Sequence, residues 1–349
     1  LKIMAGAFAI PIVFNTDRKI ARALFYSAVA IALTLGYDLI RMSNYLGADI
    51  FARAHSFQPF ILNHSNVASM AAGAAILALA YFAWKWRTDP VKCGLCLALL
   101  VVDIAYKIVI AARGPQIAFA ATIAASGLLV LPGWRKKLLW AVALAVAGVV
   151  VAANVERINP RFADKASMRG LCDRDKVWKH TWKLITKGPA AGDGFEEHRR
   201  PVTGYGFGKK LFERVYHSTR EKPAVVRGTP FLAAGKMTVA SGPPLSPFHF
   251  HHTHEYWLFI LFQHGWVGLA LYAAAWGLLL IRLIGHIGRI STLQDRLLPA
   301  LVALLLIFIH IYGLADYPDN IVQTMMLWLI PAALVVTGTD ERRTSNFER

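Results

Sequence analysis

Charge is scarce in this chain. Only 17% of the 349 residues are Asp, Glu, Lys or Arg, while 56% are hydrophobic. A soluble domain carries about 25% charged residues, so a water-soluble particle of this length is excluded: it could not hide so much apolar surface in its cores. Acids are scarcer than bases, with 21 Asp and Glu against 38 Lys and Arg and a formal net charge of +17. Cysteine is nearly absent. Three copies exclude a disulfide framework. Cys93 and Cys96 form a CxxC at the start of an apolar run, where membrane packing explains them, and Cys172 has no local partner. A signal-peptide pattern is also missing. Residue 1 is Leu inside an apolar stretch, so we expect the natural chain to begin upstream, with further helices.

What is present is a series of long uncharged runs. Nine apolar segments lie near 3–14, 20–40, 60–83, 92–112, 116–131, 138–155, 256–284, 297–314 and 321–337. A helix needs about 20 apolar residues to cross a bilayer. The predicted class is an all-α polytopic membrane protein. Residues 1–155 hold transmembrane helices, 156–253 a large, mostly helical loop domain, 254–337 further transmembrane helices, and 338–349 a cytoplasmic tail.

Basic residues in the short loops give the orientation, because cytoplasmic loops are enriched in Lys and Arg. One set of loops carries 15 of them, including Arg18, Lys19, Arg22, Lys85, Arg87 and Lys92; the opposite set carries only Arg41, Arg53 and Arg113. The first set is assigned to the cytoplasm, and 156–250 then lies outside. That segment holds 18 basic residues against 9 acidic ones. Long loops are exempt from the positive-inside bias, so this excess points to anionic partners such as phosphates or lipid head groups. Nucleic acid is not expected.

Within the loop, Ala166–Lys187 reads as an amphipathic helix with Leu171, Trp178, Trp182 and Ile185 at helical spacing. Arg174 falls four residues before Trp178, on the same face. Gly188-Pro189 ends the helix. Two glycine-rich turns follow, Gly192-Asp193-Gly194 and Gly204-Tyr205-Gly206-Phe207-Gly208. No strand precedes the second, which argues against a nucleotide fingerprint. Phe207–His217 reads as a short helix, and 221–248, with five prolines, as a draped loop.

Four histidines crowd into His249-Phe250-His251-His252-Thr253-His254-Glu255. A zinc site is the first thought. There is, however, no His-Glu-x-x-His and no complementary ligand set at clear spacing, so no metal is expected. Histidine is also the natural general base near neutral pH. His254 is the best placed, at the first turn of a membrane helix under a basic segment. Gln263 and His264 follow inside the bilayer zone, where polar groups are costly, and Gly265 and Gly268 permit close contact. Arg113 stands at a tight junction between two apolar segments, where a guanidinium can grip a diphosphate bidentately. Arg174 is the third candidate, a cation on an apolar helix face. Asp103 and Lys107, at i,i+4, are expected to pair structurally. Asp38, His310, Asp316 and Asp319 lie near span ends and read as interfacial, although Asp316-Tyr317-Pro318-Asp319-Asn320 can line a site.

At these residues the chain resembles the lipopolysaccharide O-antigen ligases of the O-antigen ligase/polymerase superfamily. Their motif is His, then Asn, Ser or Gln, nine residues, Gly, two residues, Gly. His254, Glu255, nine residues, Gly265, Trp266-Val267 and Gly268 fit that spacing, with Glu255 departing at the second position. Arg113-Gly114 resembles the family's outer helix-end Arg. Arg174-x-x-x-Trp178, followed by Gly188-Pro189 and Gly192-x-Gly194, resembles its Arg-x-x-x-Trp helix and Pro…Gly-x-Gly turn. The resemblance covers roughly 100–280.

The resemblance implies a GT-C-like helix bundle in the bacterial inner membrane. It implies transfer of a glycan from undecaprenyl diphosphate to lipid A–core on the periplasmic side, without metal or cofactor and with inversion. His254 would deprotonate the acceptor hydroxyl, and Arg113 and Arg174 would bind the diphosphate. The chemistry is coherent: a lipid diphosphate leaves readily once its charge is neutralised, so the site must supply cations and one base. An O-antigen polymerase and a protein O-oligosaccharyltransferase are the alternatives within the superfamily. A transporter is the alternative outside it, although no inverted repeat is visible.

Overall fold

A computed structural model of the chain describes residues 16–47, 50, 54, 57, 59–60, 65–154, 174–187, 202–205, 256–315, 329–330 and 332–337. Among these residues there is no β-strand. Eight helices are present: α1 (Asp17–Leu46), α2 (Ser65–Lys85), α3 (Pro90–Ile110), α4 (Arg113–Val130), α5 (Trp134–Ala153), α6 (Arg174–Lys187), α7 (Tyr256–Arg289) and α8 (Leu293–Ala315). Five of them (α1, α2, α3, α7 and α8) are long and apolar enough to cross a membrane. The chain is therefore an all-α protein of multi-pass, membrane-embedded character. Each of these helices covers an apolar segment expected from the sequence, as do α4 and α5. The expected segment at 3–14 lies outside the described residues, and of 321–337 only the last few positions are described, all helical.

Short connections make α2 and α3, α3 and α4, α4 and α5, and α7 and α8 antiparallel. The starts of α1, α3, α5 and α8 and the ends of α2, α4 and α7 lie together and carry the basic loops; this is called the basic face below. The loop face is the other, where α3 meets α4 and where α6 packs.

The centre of the bundle is α2, which packs against α1, α3, α4 and α8. Small side chains allow this. Ala68, Ala71, Ala72, Ala74 and Ala75 are all buried, and a Cβ on Gly73 would come within 2.6 Å of the Phe308 ring of α8. Helices without large side chains at their contacts approach closely, which is how packing is gained where lipid offers no hydrophobic drive. The second central helix is α8, in which every residue from Ala300 to Leu306 is buried. The outer helices turn apolar side chains outward: Leu33 and Ile40 on α1, Val101 and Ile108 on α3, Leu139 and Val149 on α5. Such faces belong in hydrocarbon. At the basic face α7 extends to Arg289, and Arg282, expected in a loop, sits on the helix and donates from Nε to the Thr337 hydroxyl at 3.1 Å.

Candidate functional site

Beyond the residue that follows His254, α7 is not one continuous helix. Gly265 has φ 65° and ψ −169°, which interrupts it nine residues after its start. That region of backbone space is open essentially to glycine alone. The break frees backbone groups that a continuous helix would pair internally, the Phe262 carbonyl with the Trp266 amide and the Val267 amide with the Gln263 carbonyl. The Val202–Tyr205 turn takes their place. The Tyr205 amide donates to the Phe262 carbonyl at 2.8 Å, and the Val267 amide donates to the Val202 carbonyl at 3.2 Å. Non-helical backbone at membrane depth is tolerated only where protein satisfies it, and this turn does so.

Three glycines make the fit. A Cβ on Gly265 would strike the Val202 carbonyl; one on Gly204 (φ 73°) would strike the Gln263 carbonyl. One on Gly268 would meet the Cβ of His264, so His264 leans over Gly268 across the break. The two glycines at the end of the His254 spacing thus have separate structural reasons. Gly204, by sequence one glycine of a loop turn, docks in the helix break.

Helix α6 covers the same segment of α7. Val177, Leu184 and Ile185 join Phe259, Leu261 and Phe262 in a buried cluster. Tyr205 stacks on Phe262 with ring centroids 4.8 Å apart, and its hydroxyl donates to the Leu184 carbonyl at 2.7 Å. Leu184 lies in the last turn of α6, where carbonyls lack helical partners. The expected helix began at Ala166; the described one begins at Arg174, and 166–173 lie outside the described residues. The expected apolar stripe also needs correction. The buried face is Val177, Thr181, Leu184 and Ile185, whereas Trp182 is exposed and meets Trp266 edge-on at 6.2 Å. Arg174 opens α6 in register with Val177, Trp178 and Thr181. The Trp178 indole N–H has no acceptor among the described residues.

Arg113 is the first residue of α4, half-buried, at the loop face. Only Ala111 and Ala112 separate α3 from α4. Ala111 takes the left-handed conformation (φ 49°), and no side chain caps the α4 N-terminus. A left-handed alanine costs about 1–2 kcal/mol, the local strain of so short a corner. The Asp103–Lys107 pair expected from the spacing is not made. Lys107 instead donates from Nζ to the Pro115 carbonyl at 3.1 Å and lies 4.8 Å from the Phe119 ring centroid. Both carboxylate oxygens of Asp103 are buried and have no hydrogen-bond partner among the described residues. Spacing allowed the pair, but the start of α4 offered the ammonium a nearer acceptor. The corner therefore holds two basic side chains, Arg113 and Lys107, the second drawn there rather than to the expected pair with Asp103.

Other polar residues near span ends are structural. Asp38 is fully buried, pairs with Arg41 at 3.2 Å and accepts the Phe60 amide at 3.0 Å. The Arg41 guanidinium lies 5.0 Å from the Phe57 ring and 5.5 Å from Phe60. His310 of α8 faces a cluster on α7. Its Nδ1 lies 2.7 Å from the Leu306 carbonyl, which can only accept, so Nε2 accepts from the Tyr272 hydroxyl at 3.2 Å. Trp257 and Trp276 pack against the same ring.

His254 and Glu255 lie outside the described residues, as do His249, His251, His252, Cys172 and Asp316–Asn320. The structure packs α6 and α4, which begin with Arg174 and Arg113, against α7, the first described helix after His254. The chain matches no family model and no curated protein.

Proposed function

We propose that the chain is a membrane glycosyltransferase that moves a glycan from a lipid diphosphate to a hydroxyl acceptor, as the O-antigen ligases it resembles do from undecaprenyl diphosphate to lipid A–core. The observation that supports this best is the break at Gly265. Both glycines of the His254 spacing serve it, and it joins a segment of the polar loop to the membrane helix that begins just after His254.

In this proposal His254 takes the proton of the acceptor hydroxyl, and the freed oxygen attacks the anomeric carbon of the donor sugar. The bond to the diphosphate oxygen breaks with inversion, and undecaprenyl diphosphate leaves with the electron pair. Arg113 and Arg174 neutralise the leaving charge, assisted by the α4 N-terminus, whose dipole favours anions. Lys107 reinforces the same corner. No metal or cofactor is assigned a step. The site faces the periplasm of a bacterial inner membrane, on the side opposite the basic loops.

The test is transfer by purified protein in EDTA, with undecaprenyl-diphosphate glycan as donor and lipid A–core as acceptor. Wild type should transfer, His254→Ala should lose transfer, and Arg113→Ala should lose at least tenfold while still inserting. Loss of one positioned proton-transfer group costs about 10²–10⁴-fold. Growth of the donor chain without transfer to lipid A–core would make the protein a polymerase. Full activity of His254→Ala would remove the base assignment.

A further inference from the structure

A cavity of about 780 Å³ opens at the basic face, on the other side of the bundle from the loop-face site, between α1, α2, α3 and α8. Four cations line it, Arg18, Arg22, Lys85 and Lys92, and one acid, Asp17. Lys92 is engaged by Asp89 at 2.5 Å. Arg18, Arg22 and Lys85 have no carboxylate partner among the described residues. Its deeper wall is aromatic: Phe25, Phe82 and Trp86 stand 4.9–5.1 Å apart, centroid to centroid. The apolar wall continues onto Tyr26 and Leu95, which are 65% and 50% exposed on the lipid-facing surface.

We infer that this cavity binds the head group of an anionic phospholipid from the leaflet at the basic face, with the acyl chains running out over Tyr26 and Leu95. Positive-inside bias accounts for cations in these loops but is indifferent to where they point. Here they ring one concavity and an apolar wall leads from it into the bilayer. A soluble anion would use the cations and leave the lipid-facing exit without purpose. Basic pockets between transmembrane helices on the cytoplasmic side are suited to phospholipid head groups. The inference is independent of the reaction proposed at the loop face.

Native mass spectrometry of the full chain in neutral detergent tests it, with phosphatidylglycerol or phosphatidylcholine added. Wild type should retain phosphatidylglycerol on the order of tenfold more than phosphatidylcholine, given the contribution expected per basic residue near a membrane surface. Arg22→Gln/Lys85→Gln should lose the preference. Arg135→Gln/Lys136→Gln, which removes two cations elsewhere on the same face, should keep it. Protection of buried Cys96 from thiol reagents reports that each variant is folded. Should the first double variant fail to fold, Arg18→Gln, Arg22→Gln and Lys85→Gln singly replace it, each at an exposed position. Equal retention of the two lipids by wild type overturns the proposal, as does equal loss in both double variants. Displacement of phosphatidylglycerol by millimolar inorganic phosphate would replace the lipid with a soluble anion and also overturn it.

Discussion

The two faces of the bundle satisfy their polar groups by opposite means. At the basic face, Arg282 with Thr337 apart, the partners are close in sequence. Thr16 accepts the Lys19 amide at 3.3 Å, Asp89 accepts the Lys92 amide at 3.1 Å, and the Thr292 hydroxyl donates to Asp295 at 2.7 Å. Arg296 reaches back to the Ile290 carbonyl. At the loop face distant partners join the local pairs Arg41–Asp38 and Lys107–Pro115. Asp38 holds Phe60, Phe262 holds Tyr205, Val202 holds Val267, and Leu184 holds the Tyr205 hydroxyl. Local caps form wherever their own turn forms. The loop-face contacts exist only once long loops have closed, and closure costs entropy. A surface assembled in that way can bring residues from several helices together, which catalysis needs and a cap does not.

The largest effect should follow from breaking the long-range contact at its tightest point. Gly265→Ala forces a side chain into a conformation that costs on the order of 1–3 kcal/mol. It also drives a Cβ against the Val202 carbonyl, separating two backbone hydrogen bonds worth about 0.5–1.5 kcal/mol each. We expect the Val202–Tyr205 turn to detach, transfer activity to fall by more than a hundredfold, and the midpoint of Cys96 thermal exposure to drop by only a few degrees. The transmembrane core, built from α2 and α8, clusters separately from the buried residues that precede the break. An equal collapse of core and activity would show that the two faces are not separable.

A smaller effect tests the same contact without steric force. Tyr205→Phe keeps the ring stacked on Phe262 and removes only the donor to the Leu184 carbonyl. One such bond contributes about 1 kcal/mol. Limited proteolysis should cut between α6 and the turn several-fold faster than in wild type, with the core midpoint unchanged. Cleavage at the wild-type rate would mean that apolar packing alone holds α6 down.

The contrast between the faces also explains what the sequence made legible. Apolar length located the membrane helices, and Arg113-Gly114-Pro115 announced a tight corner, because both signals are local. The apolar stripe of α6 differs from the one its period predicts: Trp182 has the right spacing, but burial is decided by the partner surface on α7, which no helical period contains. The Asp103–Lys107 pair failed for the same reason, since the competing acceptor is the Pro115 carbonyl of the next helix. Of the site residues, the position of Arg113 followed from its corner. The role of Gly204 could not be read without Gly265, 61 positions on.

The smallest effect belongs to the basic face. Asp89 is partly exposed and caps α3. The hydrogen bond from the Lys92 ammonium, then that from its amide, holds the carboxyl below the usual carboxylate range. A carboxyl lowered by folding adds stability above its unfolded pKa and loses it as pH falls through the folded value. The loss therefore lies in the acid range, below about pH 4. Asp89→Asn should leave the cap in place, because Asn caps as well as Asp, while deleting this part of the acid dependence. The Cys96 midpoint should match wild type only near about pH 2, where the Asp89 carboxyl is neutral, and differ by at most a degree or two at pH 7. A larger loss at pH 7 would show that the α2–α3 turn is held by more than its own residues, and the basic face would then resemble the loop face.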